Sequence, residues 1–303
     1  MFVLTLTENC NNNCMFCYQT GKFFMNVEEA KSLISKTKNQ GEKHINFFGG
    51  EPTIHPHFFS LVKYVKNQGL DFSLNSNLRL LSYENFAKII TEFDPIMIQA
   101  SIHGHVAELH DMLTRTPGSF EQTIKGVKNL LKLGYSPERI LINTVITRHN
   151  MEYLKYIANL ILNEIGFPKT KFSFMEIDGK ALENIEELLP RYGEAYPFLE
   201  TATKEALKKN KRILVEKGPI CFCPDMPNVS YVFEKHLLDP RFEKQPADKA
   251  KFMKVRSCSS CPSNQNCNGV HRNYTKLYSL DELKGKKTSK LRVIYKGGKI
   301  FNF

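Results

Sequence analysis

No stretch of this 303-residue chain approaches the roughly 18 consecutive apolar residues that a membrane-spanning helix needs. The N-terminus MFVLTLTENC shows neither a basic leader nor a small-residue cleavage site, so the expectation is an untargeted, soluble, cytoplasmic protein with no membrane partner. There is no repeat beyond a strand–helix unit and no low-complexity segment. With 42 % hydrophobic and 24 % charged residues, the composition excludes an intrinsically disordered or fibrous chain. Acidic residues are scarce late in the sequence: residues 201–303 hold 22 basic and 9 acidic side chains against 20 and 22 in residues 1–200, which places the whole net charge of +11 in the last third. Cysteine is missing between Cys17 and Cys221. The eight cysteines fall into an early group, Cys10, Cys14 and Cys17, and a late one, Cys221, Cys223, Cys258, Cys261 and Cys267. Without a secretory signal such clusters favour metal binding over disulfides.

Hydrophobic periodicity predicts strands over 2–7, 44–48, 71–75, 96–102, 140–146 and 171–176, with helices near 27–39, 57–67, 83–90, 120–133 and 151–164. Such alternation implies parallel strands, because a helix must return the chain before each next strand. Runs such as INFF and ILINTVI suit a sheet buried on both faces. The expected fold is α/β, a partial (β/α)6 TIM-like barrel over residues 1–190, followed by a small C-terminal cysteine-rich auxiliary region over 191–303. That region opens with a helix over 194–209 and closes on LRVIYKGGKIFNF, a hairpin pattern about Gly297 and Gly298. Its core is small, and a metal site is a means of stabilising it.

Cys10, Cys14 and Cys17 form C-x3-C-x2-C directly after the first strand. Asn11, Asn12 and Asn13 fill the first gap, and asparagine tolerates the turns needed to wrap a bound centre. Three thiolates suit an iron–sulfur cluster, whose usual complement is four; the iron left without a protein ligand is then open. Zinc or unligated thiols are the alternatives, but no histidine lies near enough in sequence to complete a zinc set, and Glu8 is the one close acid.

The cysteine pattern, with aromatic Phe16 before its last member, resembles the signature of radical S-adenosylmethionine (SAM) enzymes. The second strand ends in FFGGEP, and Gly49, Gly50 and Glu51 resemble the run that meets the SAM amino group in that family. The glycines allow backbone to approach the ligand, and the carboxylate can pair with an ammonium. Further polar residues stand at predicted strand ends: Asn75, Ser76 and Asn77, then Ser101 and His103, then Asn143 and Thr144. The resemblance implies that some of them contact the SAM ribose and carboxylate; strand-end turns are the plainer reading. Arg115 lies in an SIHG…HD…R…PGSF run similar to one in family members, as an anion-binding or a helix-capping residue. His55 and His57 read as loop residues rather than ligands. The resemblance implies that a 4Fe–4S cluster chelates SAM and donates one electron, and that the resulting 5′-deoxyadenosyl radical abstracts hydrogen from substrate.

Cys258, Cys261 and Cys267 form C-x2-C-x5-C, and His271 stands where a longer version of the motif has another cysteine. This resembles the SPASM or twitch extension that carries an auxiliary 4Fe–4S cluster in radical SAM enzymes. The implied ligands are Cys221, Cys258, Cys261 and Cys267, with Cys223 spare or replacing Cys221; a Cys3His zinc site including His271 stays open.

The lysine groups at 208–217 and 284–292 read as solvated faces, with a nucleic-acid surface as the less favoured alternative. The leading expectation is a radical SAM oxidoreductase or maturase acting on a peptide or small molecule. It would take electrons from a donor such as flavodoxin or ferredoxin. Because nine residues precede Cys10, a peptide substrate is expected to need a separate recognition protein or the core itself. A tRNA-modifying enzyme and a non-catalytic iron–sulfur carrier or scaffold are the competing readings.

Overall fold

The computed structural model describes residues 1–19, 21–167, 169–222, 251–261, 264, 267–283, 292–294 and 300–302. The chain forms two compact units, residues 1–143 and 144–303. Seven strands lie in chain order in one α/β sheet, and the pairings described within it are parallel.

In the first unit the elements are β1 (Phe2–Thr7), α1 (Val27–Asn39), β2 (His44–Gly49), α2 (Phe58–Asn67), β3 (Asp71–Asn75), α3 (Glu84–Phe93), β4 (Met97–Ser101), α4 (Ala107–Thr114), α5 (Ser119–Lys132) and β5 (Ile140–Ile146), whose last three residues pass into the second unit. Helix α1 starts where the Asn26 side chain accepts the Glu28 amide at 2.9 Å. Glu28 and Glu29 in its first turn and Lys36 and Lys38 in its last complement the helix dipole. Helix α2 buries Phe58, Leu61, Val62 and Val65, an i, i+3, i+4, i+7 stripe. Phe58 meets Phe47 of β2 edge to face at 5.6 Å, and Phe47 meets Phe72 of β3 at 5.8 Å.

The second unit continues through α6 (Leu154–Asn159), β6 (Lys169–Phe174), α7 (Lys180–Glu183), α8 (Ile185–Leu188), α9 (Tyr192–Lys208) and β7 (Arg212–Glu216). Here the structure differs from the six-strand expectation. Helix α9 is a crossover, and β7 pairs parallel to β6 from Lys169↔Arg212 to Ser173↔Glu216, so the sheet runs past residue 190. Ile213 and Val215 of this five-residue run are buried, and its flanking lysines and arginine hid it among the charged residues of the late chain. Two antiparallel pairs follow: β8 (Phe252–Met253) with β9 (Val270–His271), and β10 (Arg292–Ile294) with β11 (Ile300–Asn302). The latter is the expected hairpin; its turn at Gly297 and Gly298 lies outside the described residues, as do Cys223 and Lys284–Lys290. No helix among the described residues is long and apolar enough to cross a membrane.

Candidate functional site

The early cysteines lie on the loop that leaves β1, and backbone hydrogen bonds hold that loop from two sides. The β1–β2 register is irregular between Thr5 and Thr7, at the exit toward Cys10. Beyond that point the Gly50 amide donates to Thr7 O at 2.7 Å and the Glu51 amide to Asn9 O at 2.9 Å. A Cβ on Gly49 would lie 2.0 Å from Thr7 O, and one on Gly50 would lie 2.2 Å from Asn9 O. The two glycines therefore admit the cysteine loop itself, a role that precedes any contact with a ligand. On the other side, the Asn13 amide donates to Thr114 O and the Met15 amide to Leu113 O, each at 3.0 Å. These are carbonyls of the last turn of α4, which have no partner within their own helix.

Helix α4 was not expected from periodicity, and it explains the HD…R…PGSF run. Arg115 ends α4 in a left-handed conformation, φ 48°, with its amide on Met112 O at 3.1 Å; its capping role is a backbone one. Asp111 caps the next helix: its carboxylate accepts the Gly118 amide at 2.6 Å, the Ser119 hydroxyl at 2.8 Å and the Phe120 amide at 2.7 Å. An Asp111→Ala variant loses these bonds at once and is expected to be less stable by about 2 kcal/mol in denaturant titration. Because the last turn of α4 anchors the cysteine loop, the variant's reconstituted iron content is expected to fall as well.

Glu51 is fully buried. Burial raises its pKa, while four donors stabilise its charge: the Thr53 amide (3.1 Å) and hydroxyl (2.6 Å) and the Ser76 hydroxyl (2.9 Å) on Oε1, and the Asn77 amide (2.6 Å) on Oε2. The carboxylate ties the exit of β2 to the exit of β3. Asn75 and Ser101 are half-buried at the ends of β3 and β4. The carbonyl of Asn143 accepts the Ile102 amide at 3.1 Å. Phe16 and His103, each singled out from the sequence, touch: their rings meet edge to face at 4.6 Å. The His103 amide donates to His110 Nδ1 at 3.1 Å. Burial depresses both imidazoles, His110 to about 4, so both are neutral at physiological pH. His55 bonds Met25 O through Nε2 at 2.9 Å and takes the His57 amide on Nδ1, which agrees with a loop role.

Two further residues complete the loop: Arg79, which the sequence pattern does not single out, and Asn77, which it does. Arg79 donates through Nη1 to Asn11 O and to Asn12 Oδ1 (2.9 Å), and its Nε donates to Gln122 Oε1 at 2.6 Å. Asn77, one of the strand-end residues that the resemblance offers as SAM contacts, donates through Nδ2 to Asn11 Oδ1 at 2.6 Å and to Cys10 Sγ at 3.7 Å. A run of amides and an arginine at a strand exit is the signal, but only the fold shows that it faces the cysteines.

The donor set fits a cluster. Cys10, Cys14 and Cys17 are unbridged. Cys10 is exposed as a residue, yet crowding of its sulfur, the Glu51 carboxylate and Cys17 push its thiol up to about 11. Its thiolate therefore calls for a cationic centre. Its sulfur already accepts the Asn12 amide at 3.3 Å, the kind of bond a ligating thiolate takes.

In the second unit, β8 and β9 pair Met253 with Val270 and close a loop that carries Cys258, Cys261 and Cys267. Cys221, Cys258, Cys261 and Cys267 line one cavity there. Burial and the other three cysteines push the Cys221 thiol up to about 12, so this set too calls for a cation. Gly269, at φ 85°, donates its amide to Cys267 Sγ at 3.3 Å, and a Cβ on it would lie 2.1 Å from Met253 O.

His271 faces elsewhere. Its Nε2 lies 3.9 Å from both Glu176 Oε1 and Asp178 Oδ2, beyond the end of β6, while Nδ1 accepts the Asn273 amide at 3.2 Å. The Cys3His zinc alternative thus loses its histidine. Nor do these three residues suit a metal of their own. A ring that accepts at Nδ1 carries its neutral-state proton on Nε2. The Lys251 ammonium already sits 2.8 Å from Asp178 Oδ2 and 3.4 Å from Glu176 Oε1, and Lys217 lies 2.6 Å from Glu176 Oε2. Burial opposes the Glu176 charge, but these lysines and His271 hold its carboxyl below the ordinary value.

A profile of the Radical SAM superfamily matches residues 4–161, just over half of the chain. The chain belongs to this superfamily, whose enzymes are built on a 4Fe–4S cluster and SAM. Among curated relatives, it is 32 % identical over 163 residues to an AdoMet-dependent heme synthase of Oleidesulfovibrio alaskensis, covering 52 % of this chain and 41 % of that protein. It is 31 % identical over 161 residues to the mycofactocin maturase MftC of Mycobacterium tuberculosis, covering 51 % and 40 %. The matches thus span less than half the length of these relatives. Among solved structures, Streptococcus suis SuiB bound to S-adenosylmethionine superposes with a TM-score of 0.64 at 16 % identity over 92 % of this chain and 74 % of that one. Native anSMEcpe with bound AdoMet and the Cp18Cys peptide gives 0.63 at 17 % over 89 % and 88 %. Both share the fold.

Proposed function

We propose that Cys10, Cys14 and Cys17 hold a 4Fe–4S cluster that binds and reductively cleaves SAM, and that the chain uses the resulting radical to abstract hydrogen from a peptide or small-molecule substrate. The observation that carries this reading is the double anchoring of the C-x3-C-x2-C loop, by the Gly49–Glu51 backbone on one side and the end of α4 on the other. When bound, the cluster and SAM supply one-electron carbon–sulfur cleavage and the 5′-deoxyadenosyl radical.

The protein's own residues position that chemistry. Gly50 and Glu51 fix the loop, Phe16 and His103 wall it with apolar and neutral rings, and Ser76 and Asn77 hold the Glu51 carboxylate. Burial raises the Glu51 pKa against its four donors, and Oε2, with a single donor, is the oxygen suited to pair with an ammonium. Asn75, Ser101 and Asn143, at neighbouring strand ends, are proposed SAM contacts. Cys221, Cys258, Cys261 and Cys267 are proposed to hold an auxiliary 4Fe–4S cluster. A flavodoxin or ferredoxin as electron donor, a separate recognition protein for a peptide substrate and a cytoplasmic location complete the reading; the peptide-bound relative of similar fold supports the peptide class.

Anaerobic reconstitution with iron and sulfide, followed by reductant and SAM, tests the proposal. It is expected to yield 5′-deoxyadenosine and methionine in equal amounts. Neither product, in the presence of an intact cluster and candidate substrates, would favour an electron carrier.

A further inference from the structure

We infer that Asn77 sets the reduction potential of the cluster held by Cys10, Cys14 and Cys17, by donating a side-chain N–H to the Cys10 sulfur. The inference rests on the ligand assignment above. It concerns a residue outside the cysteine motif, on the exit of a different strand.

Four contacts fix how the Asn77 carboxamide points. The Asn77 amide donates to Glu51 Oε2 at 2.6 Å, and the Thr123 hydroxyl donates to Asn77 O at 2.9 Å, so the backbone is held at both ends of the residue. The Arg79 amide donates to Asn77 Oδ1 at 3.0 Å. A donor on one side of the carboxamide identifies that side as oxygen, which leaves the NH2 on the other. Its two hydrogens have two acceptors, Asn11 Oδ1 at 2.6 Å and Cys10 Sγ at 3.7 Å. Reversing the amide would set an oxygen against both acceptors and an NH2 against the Arg79 amide. The orientation is therefore determined, and with it the donor to sulfur.

The physical consequence follows from charge. A reduced cluster carries one more electron, part of it on the ligand sulfurs, so a donor aimed at a thiolate stabilises the reduced form more than the oxidised one. Cys10 accepts two such bonds, from the Asn12 amide and from Asn77. The first is donated by the cysteine loop's own backbone; the second comes from a side chain and is removed by a shape-conserving substitution.

The test is an EPR-monitored redox titration of the reconstituted full-length protein, following the reduced-cluster signal that changes when SAM is added. Asn77→Leu keeps the shape and removes the donor. Asn77→Asp keeps the acceptor for the Arg79 amide and puts a carboxylate oxygen against the sulfur. The expected order of potentials is parent, then Asn77→Leu, then Asn77→Asp. In Asn77→Leu the reduced-to-oxidised ratio at fixed potential should fall about tenfold, equivalent to about 59 mV for one electron.

Equal potentials in the parent and both Asn77 variants, with parental iron and sulfide content, would overturn the inference. So would loss of the cluster in both variants, because Asn77 would then serve assembly alone. A parent protein with no SAM-responsive signal would remove the ligand assignment itself, a failure distinct from either.

Discussion

Replacing Gly50 by alanine is expected to empty the N-terminal site of iron while leaving the rest of the fold in place. The position is not in the left-handed region, so the cost is one of space. The added methyl would lie 2.2 Å from Asn9 O and 2.6 Å from Glu8 O, and both are backbone atoms that no rotamer change can move aside. The strain of such a contact is on the order of 1–3 kcal/mol if the surroundings yield. What must yield is the segment that leads to Cys10, together with the Glu51 amide bond to Asn9 O. Gly69→Ala is the control: its φ is 71° but its Cβ meets nothing within 4 Å, so it costs about 1 kcal/mol of backbone strain and spares the iron. Thermal melts and iron counts on the two variants separate clash at the site from general destabilisation. Full iron occupancy in Gly50→Ala would show that the glycine pair does not govern the loop.

The second large effect concerns the late cysteines. A variant in which Cys10, Cys14 and Cys17 are all alanine is expected to retain about four iron and four sulfide per chain after reconstitution, bound by Cys221, Cys258, Cys261 and Cys267. These four line one cavity, and burial together with the neighbouring cysteines raises the Cys221 thiol, which a cationic centre among them would reverse. Zinc without sulfide in this variant would replace the auxiliary cluster by a structural ion. Adding Cys258→Ala should then remove the remaining metal and lower the melting temperature, because the loop between β8 and β9 has little apolar surface of its own to bury.

Much of this was legible in the residues. Six of the seven strands lie within two residues of where the alternation put them, because β2 and β5 are largely apolar runs and β1 ends just before the cysteine motif. The expected strand over 171–176 starts two residues earlier and ends at Phe174, which leaves Glu176 and Asp178 in the chain beyond it. Strand β7 was missed because a five-residue run between Lys211 and Lys217 is decided by pairing with β6, not by its own pattern. Helix α4 was missed because its eight residues are short and its buried positions include His110 and Thr114, which do not read as apolar.

For the site, residue types showed where chemistry was concentrated but not how the parts were tied. Gly49 and Gly50 read as room for a ligand, and their Cβ positions are filled by the chain. Glu51 read as an ammonium partner, and it first braces two strand exits. His271 stood at the place of a cysteine, yet both ring nitrogens turn away from the other four. For Gly50 and Glu51 the residue type is legible in the sequence, while the partners at Thr7, Asn9, Ser76 and Asn77 are supplied by other strand exits.

The account's central claim is that the anchored Cys10–Cys17 loop holds the cluster that cleaves SAM. The most direct measurement is the yield of 5′-deoxyadenosine and methionine from reconstituted parent protein and from Cys14→Ala, under the same reductant and with auxiliary metal counted in both. Both products from the parent and none from Cys14→Ala, with the auxiliary metal retained, is the predicted result. Cleavage by Cys14→Ala at the parent's yield would contradict it.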